Sequence, residues 1–160
     1  MQPKRVSDSS VVMAHQMLPE DANPMGNVHG GVIMKLIDTA GGVVAMRHCR
    51  GNAVTASIDR LDFLCPSYVG ELLFLRASIN YVGKTSMEIG VRVEAENITT
   101  GEVRHSASAY LTYVALDRAG RPTTIPPIVL ESEEEERRYR EAEERRRIRL
   151  GQSCAEGPKS

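Results

Sequence analysis

Hydrophobic positions follow two different periods along the chain, and each period predicts one kind of element. From His29 to about His48, apolar residues recur every three or four positions, which predicts a single amphipathic helix. Its apolar stripe consists of Ile33, Leu36, Ile37, Ala40, Val43 and Val44. We expect this stripe to pack against a sheet.

After the helix, the period changes to the alternation that is typical of half-buried strands. Four segments show it, at about 53–64, 71–82, 85–97 and 102–116. Gly70, Gly83 and residues 99–101 separate these segments and predict hairpin-like connections, and residues 11–13 could add a short strand. One helix followed by an antiparallel meander predicts an α+β fold with the helix on one sheet face.

The C-terminal part of the chain is dominated by charge. Residues 131–149 contain several glutamates placed four positions before an arginine, the order that stabilises a helix. Such a helix has little to bury, so we expect it to project or to lie on the surface. The sequence thus predicts a flexible segment over 1–8, one domain over 9–128, a charged helix over 129–150 and a disordered tail over 151–160.

Composition narrows the classes of partner and compartment. A formal net charge of -1 argues against nucleic-acid binding, which requires a basic excess or face. Cys49, Cys65 and Cys154 have neither disulfide nor zinc-ligand spacing, which favours a reducing compartment and no metal. Neither a signal peptide nor an apolar run long enough to span a bilayer is visible. We therefore expect a cytoplasmic protein with no membrane partner.

Candidate chemistry lies at the start of the predicted helix and within it. Gly30 and Gly31 would leave backbone N–H groups uncovered at the positive end of the helix dipole. Asp38 follows Gly31 by seven residues and so lies on nearly the same face. Farther along, that face is expected to remain narrow and open, because it carries only Gly41, Gly42 and Ala45. Alternatively, Asp38 is a solvated surface residue and the glycines serve chain entry and tight packing.

Several sequence blocks together resemble a known family. They are Asn23–Gly31 (NPMGNVHGG) with Met34–Gly41, then Val54–Leu64, Val82–Met87 and Ala115–Asp117. These blocks are similar to the signature of the hotdog-fold acyl-CoA thioesterases, in particular the cytosolic, brain-type acyl-CoA hydrolases and their single-domain bacterial relatives. The resemblance covers roughly residues 10–128, nearly everything except the charged tail.

The resemblance implies a fold, an assembly and a substrate. In this family a long central helix is wrapped by an antiparallel sheet, and two such units pair as a dimer, often within a trimer of dimers. The implied substrate is fatty acyl-CoA, which is hydrolysed without a cofactor. The active site lies between subunits and uses an Asp on the helix and an Asn in the preceding loop, positions that Asp38 and Asn23 occupy here. Lys84, Thr85 and Ser86 could contact the nucleotide end of CoA, or they could form an ordinary hairpin turn.

The expected mechanism is attack of water on the thioester carbonyl. Asp38 would be the general base or, alternatively, a nucleophile, and the Gly30 and Gly31 amides would form the oxyanion hole. His29 could donate to the same carbonyl or only cap the turn. Two other functions stay open: an acyl-CoA-binding protein that does not cleave its ligand, and an acyl-CoA dehydratase that uses His29.

Overall fold

A computed structural model describes residues 1–155, with side chains described as far as residue 152. Its strands and α-helices are β1 (Lys4–Arg5), β2 (Val11–Gln16), α1 (Gly30–Cys49), β3 (Asn52–Phe63), β4 (Leu72–Val82), β5 (Ser86–Glu96), β6 (Val103–Leu116), β7 (Ile128–Val129) and α2 (Glu133–Ala155). The long helix and the four strands that follow it lie within one residue of the ranges predicted from periodicity.

The main sheet has five antiparallel strands in the order β2-β4-β5-β6-β3, and α1 packs across one of its faces. Side chains that alternate along β4, β5 and β6 face the helix and form the core, including Leu73, Leu75, Ile89, Val93 and Leu111, each with 0% exposure. Strands β4, β5 and β6 are long enough to extend along the whole of α1. This one helix therefore covers that face of the sheet and forms the second layer of the fold. The predicted α+β architecture is confirmed.

The buried face of α1 differs in part from the predicted stripe. Val43 is only half-buried, whereas Gly41 and Ala45, expected on the open face with Asp38, are buried. The helix is therefore enclosed over a wider arc than the apolar period indicates. Small residues can be buried without contributing to an apolar pattern, so sequence periodicity does not detect them.

The N-terminus is ordered, in contrast to the flexible segment predicted over residues 1–8. Strand β1 pairs in parallel with β7, and Val6 is buried with 7% exposure. Lys4 Nζ donates a hydrogen bond of 2.6 Å to the carbonyl of His48, in the last turn of α1. A basic side chain is favourable there because the final carbonyls of a helix lack backbone donors.

Helix α2 packs on the sheet face opposite to α1. Ala142 has 0% exposure, and the Tyr139 ring lies 4.9 Å from that of Tyr81 on β4. The helix is therefore attached to the sheet along its surface and does not project. It extends to Ala155, so residues 151–155 are helical and not part of a disordered tail. The rest of that predicted tail, 156–160, lies outside the described residues. None of the helices within residues 1–155 is both long and apolar enough to cross a bilayer.

Candidate active site

The Asp38 carboxylate is held by two hydroxyl groups. Thr55 on β3 donates to its Oδ1 at 2.6 Å, and the phenol of Tyr113 on β6 lies 3.0 Å from the same oxygen. Tyr113 also lies 3.0 Å from the backbone carbonyl of Asp38. Among the described residues no group donates to Oδ2. One carboxylate oxygen is thus fixed from the sheet side and the other is left open, which argues against a freely solvated surface acid.

Register and burial explain why these hydroxyls meet Asp38. Thr55 and Tyr113 are paired neighbours on the adjacent strands β3 and β6. Tyr113 has 1% exposure, and burial together with the negative charge of Asp38 raises the pKa of its phenol well above the usual range. The phenol therefore stays protonated and acts as a donor. Neither Thr55 nor Tyr113 is identified by the sequence analysis.

Gly41 creates the space in which the Tyr113 hydroxyl sits. A Cβ at Gly41 would lie 3.0 Å from Cζ of Tyr113 and still closer to its hydroxyl oxygen. Tight packing is therefore the reason for a glycine in the middle of this helix, as one of the alternatives allows. That packing also places a hydrogen-bond donor beside the candidate catalytic acid.

Replacing Tyr113 with Phe should lower kcat for thioester hydrolysis about tenfold, with little change in KM. The substitution keeps the ring but removes a hydrogen bond to a charged group, an interaction worth about 1.5–3 kcal/mol. Steady-state kinetics on the variant would measure this. Tyr110→Phe on the same strand is the matched control, because it keeps the ring that contacts Arg145 and, among the described residues, the Tyr110 hydroxyl makes no hydrogen bond. Equal kcat for Tyr113→Phe and the control would contradict this role.

The start of α1 offers a different donor set from the predicted one. His29 is the N-cap, and its Nδ1 accepts a hydrogen bond of 2.9 Å from the Gly31 amide. The Gly31 N–H already donates to His29 and is not free to bind an oxyanion, contrary to its predicted role in the oxyanion hole. The Gly30 N–H has no partner among the described residues. Because Nδ1 of His29 accepts, the proton of the neutral ring is on Nε2, and His29 is exposed. The candidate donors here are thus Gly30 N–H and His29 Nε2–H.

Asn23 organises the loop before the helix. Its Oδ1 accepts from the amides of Met25 at 2.9 Å and Asn27 at 3.2 Å. Within the part of the chain that the structure describes, its Nδ2 has no hydrogen-bond partner and no hydrogen bond joins it to Asp38. The side-chain oxygen therefore shapes the loop, and the amide NH₂ is available to a ligand.

The loop that contains Asn23 is hydrogen-bonded to a turn that a partly buried ion pair between Arg104 and Glu71 stabilises. Val28 N donates to the Ser67 carbonyl at 2.8 Å, and Arg104 binds both carboxylate oxygens of Glu71, which in turn accepts from Tyr68 N. Burial alone would raise the pKa of Glu71, but the hydrogen bonds from Arg104 and Tyr68 hold it below its usual range.

This depressed pKa predicts a contribution to stability that depends on pH. The ionised form of Glu71 is favoured in the folded state, so its contribution is complete above the unfolded pKa of about 4.3 and is lost as the pH falls through the lower folded value. The melting temperature should therefore decrease less steeply below about pH 4 in Glu71→Gln than in the wild-type protein. Thermal melts between neutral and acid pH measure this, and identical slopes would contradict it.

The candidate oxyanion donor Gly30 and the candidate catalytic acid Asp38 are far apart within one chain. Gly30 and Asp38 are separated by eight positions on the same helix, which at 1.5 Å per residue amounts to about 12 Å. A single acyl carbon cannot be contacted by both groups at that distance. If both act on one substrate, they must come from different subunits.

Lys84, Thr85 and Ser86 lie in the hairpin between β4 and β5. Ser86 is opposite Val114, the neighbour of Tyr113, and is two strands away from β3, or about 10 Å. Lys84 is exposed, and its carbonyl accepts from Ile125 N at 3.1 Å. The hairpin is thus at the end of the sheet that carries the Asp38 hydroxyl partners. In residues 1–155 no three His, Cys, Asp or Glu side chains are grouped as metal ligands.

Comparisons with known proteins identify the family of the chain. A family model, Thioesterase superfamily, matches residues 25–102. The cytosolic acyl coenzyme A thioester hydrolase of Rattus norvegicus is 38% identical over 146 residues, 90% of this chain and 38% of that protein. The chain therefore spans well under half of the length of that relative. An uncharacterized acyl-CoA thioester hydrolase of Bacillus subtilis is 41% identical over 80% of this chain and 74% of its own length.

Solved structures of related enzymes have the same fold as this chain. An apo hexameric acyl-CoA thioesterase superposes with a TM-score of 0.92 at 36% identity, covering 96% of this chain and 98% of its own. An acyl-CoA hydrolase from Staphylococcus aureus, in complex with butyryl coenzyme A and coenzyme A, gives a TM-score of 0.88 at 33% identity, with 95% and 93% covered. The sheet, the long helix and these relatives agree with the predicted family and fold, and the chain belongs to the hotdog-fold thioesterase superfamily.

Proposed function

We propose that the protein hydrolyses fatty acyl-CoA to a free fatty acid and CoA, with Asp38 as the catalytic residue. The observation that carries this proposal is the fixed carboxylate, whose Oδ1 is bound by Thr55 and Tyr113 while Oδ2 is open. An acid that two neutral hydroxyls orient is suited to accept a proton from water. A protein that only binds acyl-CoA has no need for this arrangement.

Relatives support the same residues. Variants of the Staphylococcus aureus hydrolase replace an Asn, an Asp 15 positions later and a Thr 17 positions after that, each with Ala. Asn23, Asp38 and Thr55 have the same types and the same separations in this chain. The Asn variant of that enzyme is in complex with coenzyme A. These matches favour Asn23, Asp38 and Thr55 as parts of one site.

The chemistry follows from these groups. Asp38 Oδ2 takes a proton from a water as its oxygen attacks the thioester carbon, and Gly30 N–H and His29 Nε2–H stabilise the resulting oxyanion. A donor of this kind typically contributes about 2.7–4 kcal/mol. When the intermediate collapses, the carbon–sulfur bond breaks and the thiolate of CoA takes the proton from Asp38. Because a thiol pKa is about 8.5, no strong general acid is needed.

Attack by Asp38 itself, through a transient anhydride, is the alternative route for the same reaction. In this route an Asp38 oxygen attacks the thioester carbon, the carbon–sulfur bond breaks to release the thiolate of CoA, and water then hydrolyses the acyl–Asp38 anhydride to free acid and carboxylate. A single turnover in ¹⁸O-labelled water distinguishes the two routes, since only the anhydride route can leave label in the Asp38 carboxylate.

The site is proposed to form between two subunits of a homodimer. The Asp38 carboxylate of one subunit would meet Asn23, His29 and Gly30 of the other, because one helix cannot bring them together. Strand β3 is an edge of the sheet with exposed apolar side chains, including Val54 at 42% and Ile58 at 39%, and is suited to pair with a second copy. Relatives described as hexameric favour a trimer of such dimers.

Lys84, Thr85 and Ser86 are proposed to contact the nucleotide end of CoA, since they offer one positive charge and two hydroxyls near the same sheet end. No cofactor is required by this chemistry. A cytoplasmic location is proposed as well, because the related hydrolase of Rattus norvegicus is cytosolic.

Release of free thiol from acyl-CoAs of several chain lengths tests the proposed function. We expect thiol to appear at a rate proportional to enzyme concentration. Binding without thiol release would instead identify an acyl-CoA-binding protein. Interconversion of 3-hydroxyacyl- and enoyl-CoA without thiol release would identify a dehydratase.

A further inference from the structure

Helix α2 is joined to the sheet by charged side chains at two positions. Arg145 binds Glu88 through Nε at 3.1 Å and through a second nitrogen at 2.6 Å, and its guanidinium lies 3.7 Å from the centre of the Tyr110 ring. Near the C-terminal end, Arg149 donates to Thr112 Oγ1 at 2.6 Å and to Asp59 Oδ2 at 3.0 Å. Long charged side chains thus attach the helix to strands β3, β5 and β6.

The second attachment point coincides with an irregular part of β3. The pairing of β3 with β6 shifts between Thr55 and Ser57 and again between Ile58 and Arg60, so Ala56 and Asp59 are extra residues on the edge strand. Such bulges redirect neighbouring side chains and are frequent beside active sites. Here they decide which residue of β3 is opposite Tyr113.

Asp59 links this bulged stretch to both α2 and β6. It accepts hydrogen bonds from Ser57 at 2.8 Å, Thr112 at 2.6 Å and Arg149. Although burial alone would raise the pKa of Asp59, these three donors hold it below its usual range. The carboxylate is therefore charged and fully engaged.

This network lies directly behind the hydroxyls that bind Asp38. Thr112 precedes Tyr113, and because successive residues of a strand face opposite sides, one faces α2 and the other α1. Thr55 is two residues before Ser57, across the first bulge. A change in register on the α2 side would therefore displace the Thr55 hydroxyl from Asp38 on the other side.

We propose that α2 is a positioning element of the active site and that Arg149 is its key positioning residue. By binding Asp59 and Thr112 together, Arg149 fixes the bulged register that presents Thr55 and Tyr113 to the Asp38 carboxylate. The inference rests on the proposed function of Asp38, Thr55 and Tyr113. It assigns a role to a charged helix whose described side chains make no hydrogen bond to Asp38, Thr55 or Tyr113.

Arg149→Gln, compared with Arg147→Gln, tests the proposal. Arg147 lies on the same helix, but its side chain is 73% exposed and pairs with Glu144 within the helix. We expect Arg149→Gln to lower kcat about tenfold with KM changed less than about twofold, because small misplacements of catalytic groups are costly. Arg147→Gln should resemble the wild-type protein. Equal kcat for the two variants would overturn the proposal.

A double-mutant cycle separates positioning from general destabilisation. In a Thr55→Ala/Tyr113→Phe background both hydroxyls to be positioned are gone, so Arg149→Gln should cost less than about twofold in kcat. A full tenfold cost in that background would contradict action through these hydroxyls. Thr112→Val, which removes only a hydroxyl from the network, provides a second variant should Arg149→Gln melt at a much lower temperature.

Hydrogen exchange provides a readout that does not depend on activity. Amides of residues 54–60 should exchange about tenfold faster in Arg149→Gln than in Arg147→Gln, because the bulged stretch loses its attachment. Unchanged exchange there would overturn the positioning role even if the wild-type protein released no thiol. Absence of thiol release by the wild-type protein, with faster exchange in the variant, would reject only the proposed function.

Discussion

Replacing Asp38 with Ala is expected to lower the rate of thioester hydrolysis about 10³-fold, within the range that a general base contributes. The loss should appear in kcat, because no other described acid is held by Thr55 and Tyr113 in this position. Assembly should not change, since Asp38 is a half-buried residue and not part of the core. Thiol release and size-exclusion chromatography on the same preparation measure both effects.

Asp38→Asn makes this prediction more specific. The amide oxygen can still accept hydrogen bonds from both hydroxyls, so the local structure should be retained, but the side chain can no longer take a proton. We expect it to be nearly as inactive as Asp38→Ala. Asp62→Asn, at a surface acid paired with Arg60, is the matched control and should keep wild-type activity. Wild-type rates for Asp38→Asn would contradict the role of Asp38 as a base.

The elements that the sequence predicted well are those that depend on local patterns. The α1 helix and the four long strands have clear periods of 3.6 and 2 residues, and their ends carry glycine or turn residues. Strand β1 was missed because it has two residues and its partner, Ile128, is far along the chain. The structure of the N-terminal segment thus depends on a contact between residues far apart in sequence, which a local hydrophobic pattern cannot predict.

The candidate site was predicted only in part, for a related reason. Asp38, Asn23 and the helix start are close in sequence and belong to one recognisable block. Thr55 and Tyr113 join them through strand register, and that register contains two bulges. Gly41, inside the helix, is the one local sequence feature that is linked to Tyr113. The sequence alone does not show which side chain fills the space that this glycine leaves.

The use of Gly31 also could not be predicted from the sequence. Whether its amide is open depends on the rotamer of His29, whose Nδ1 occupies it in the structure. The sequence shows that two glycines begin the helix. The side-chain conformation of the N-cap residue determines which of their N–H groups remains available to a substrate. The oxyanion donors that we propose are accordingly Gly30 N–H and His29 Nε2–H.

Mixed oligomers of two inactive variants should regain activity, and this is the second large effect that we expect. Asn23→Ala alone should lose about 100-fold in rate, because the substrate or water is no longer held correctly. In a dimer of one Asn23→Ala chain and one Asp38→Ala chain, a site between subunits combines the intact Asn23 of one chain with the intact Asp38 of the other. The second site of that dimer carries both substitutions and stays inactive.

Co-expression of Asn23→Ala and Asp38→Ala chains, followed by a thiol-release assay, is therefore the most direct test of the shared site. Random pairing gives mixed dimers in about half of cases, each with one of two sites intact, so about one quarter of wild-type activity should return. Co-expression of Asp38→Ala with Asp38→Asn is the control and should restore none. Activity no higher than that of the separate variants would show that Asn23 and Asp38 do not act together across two chains.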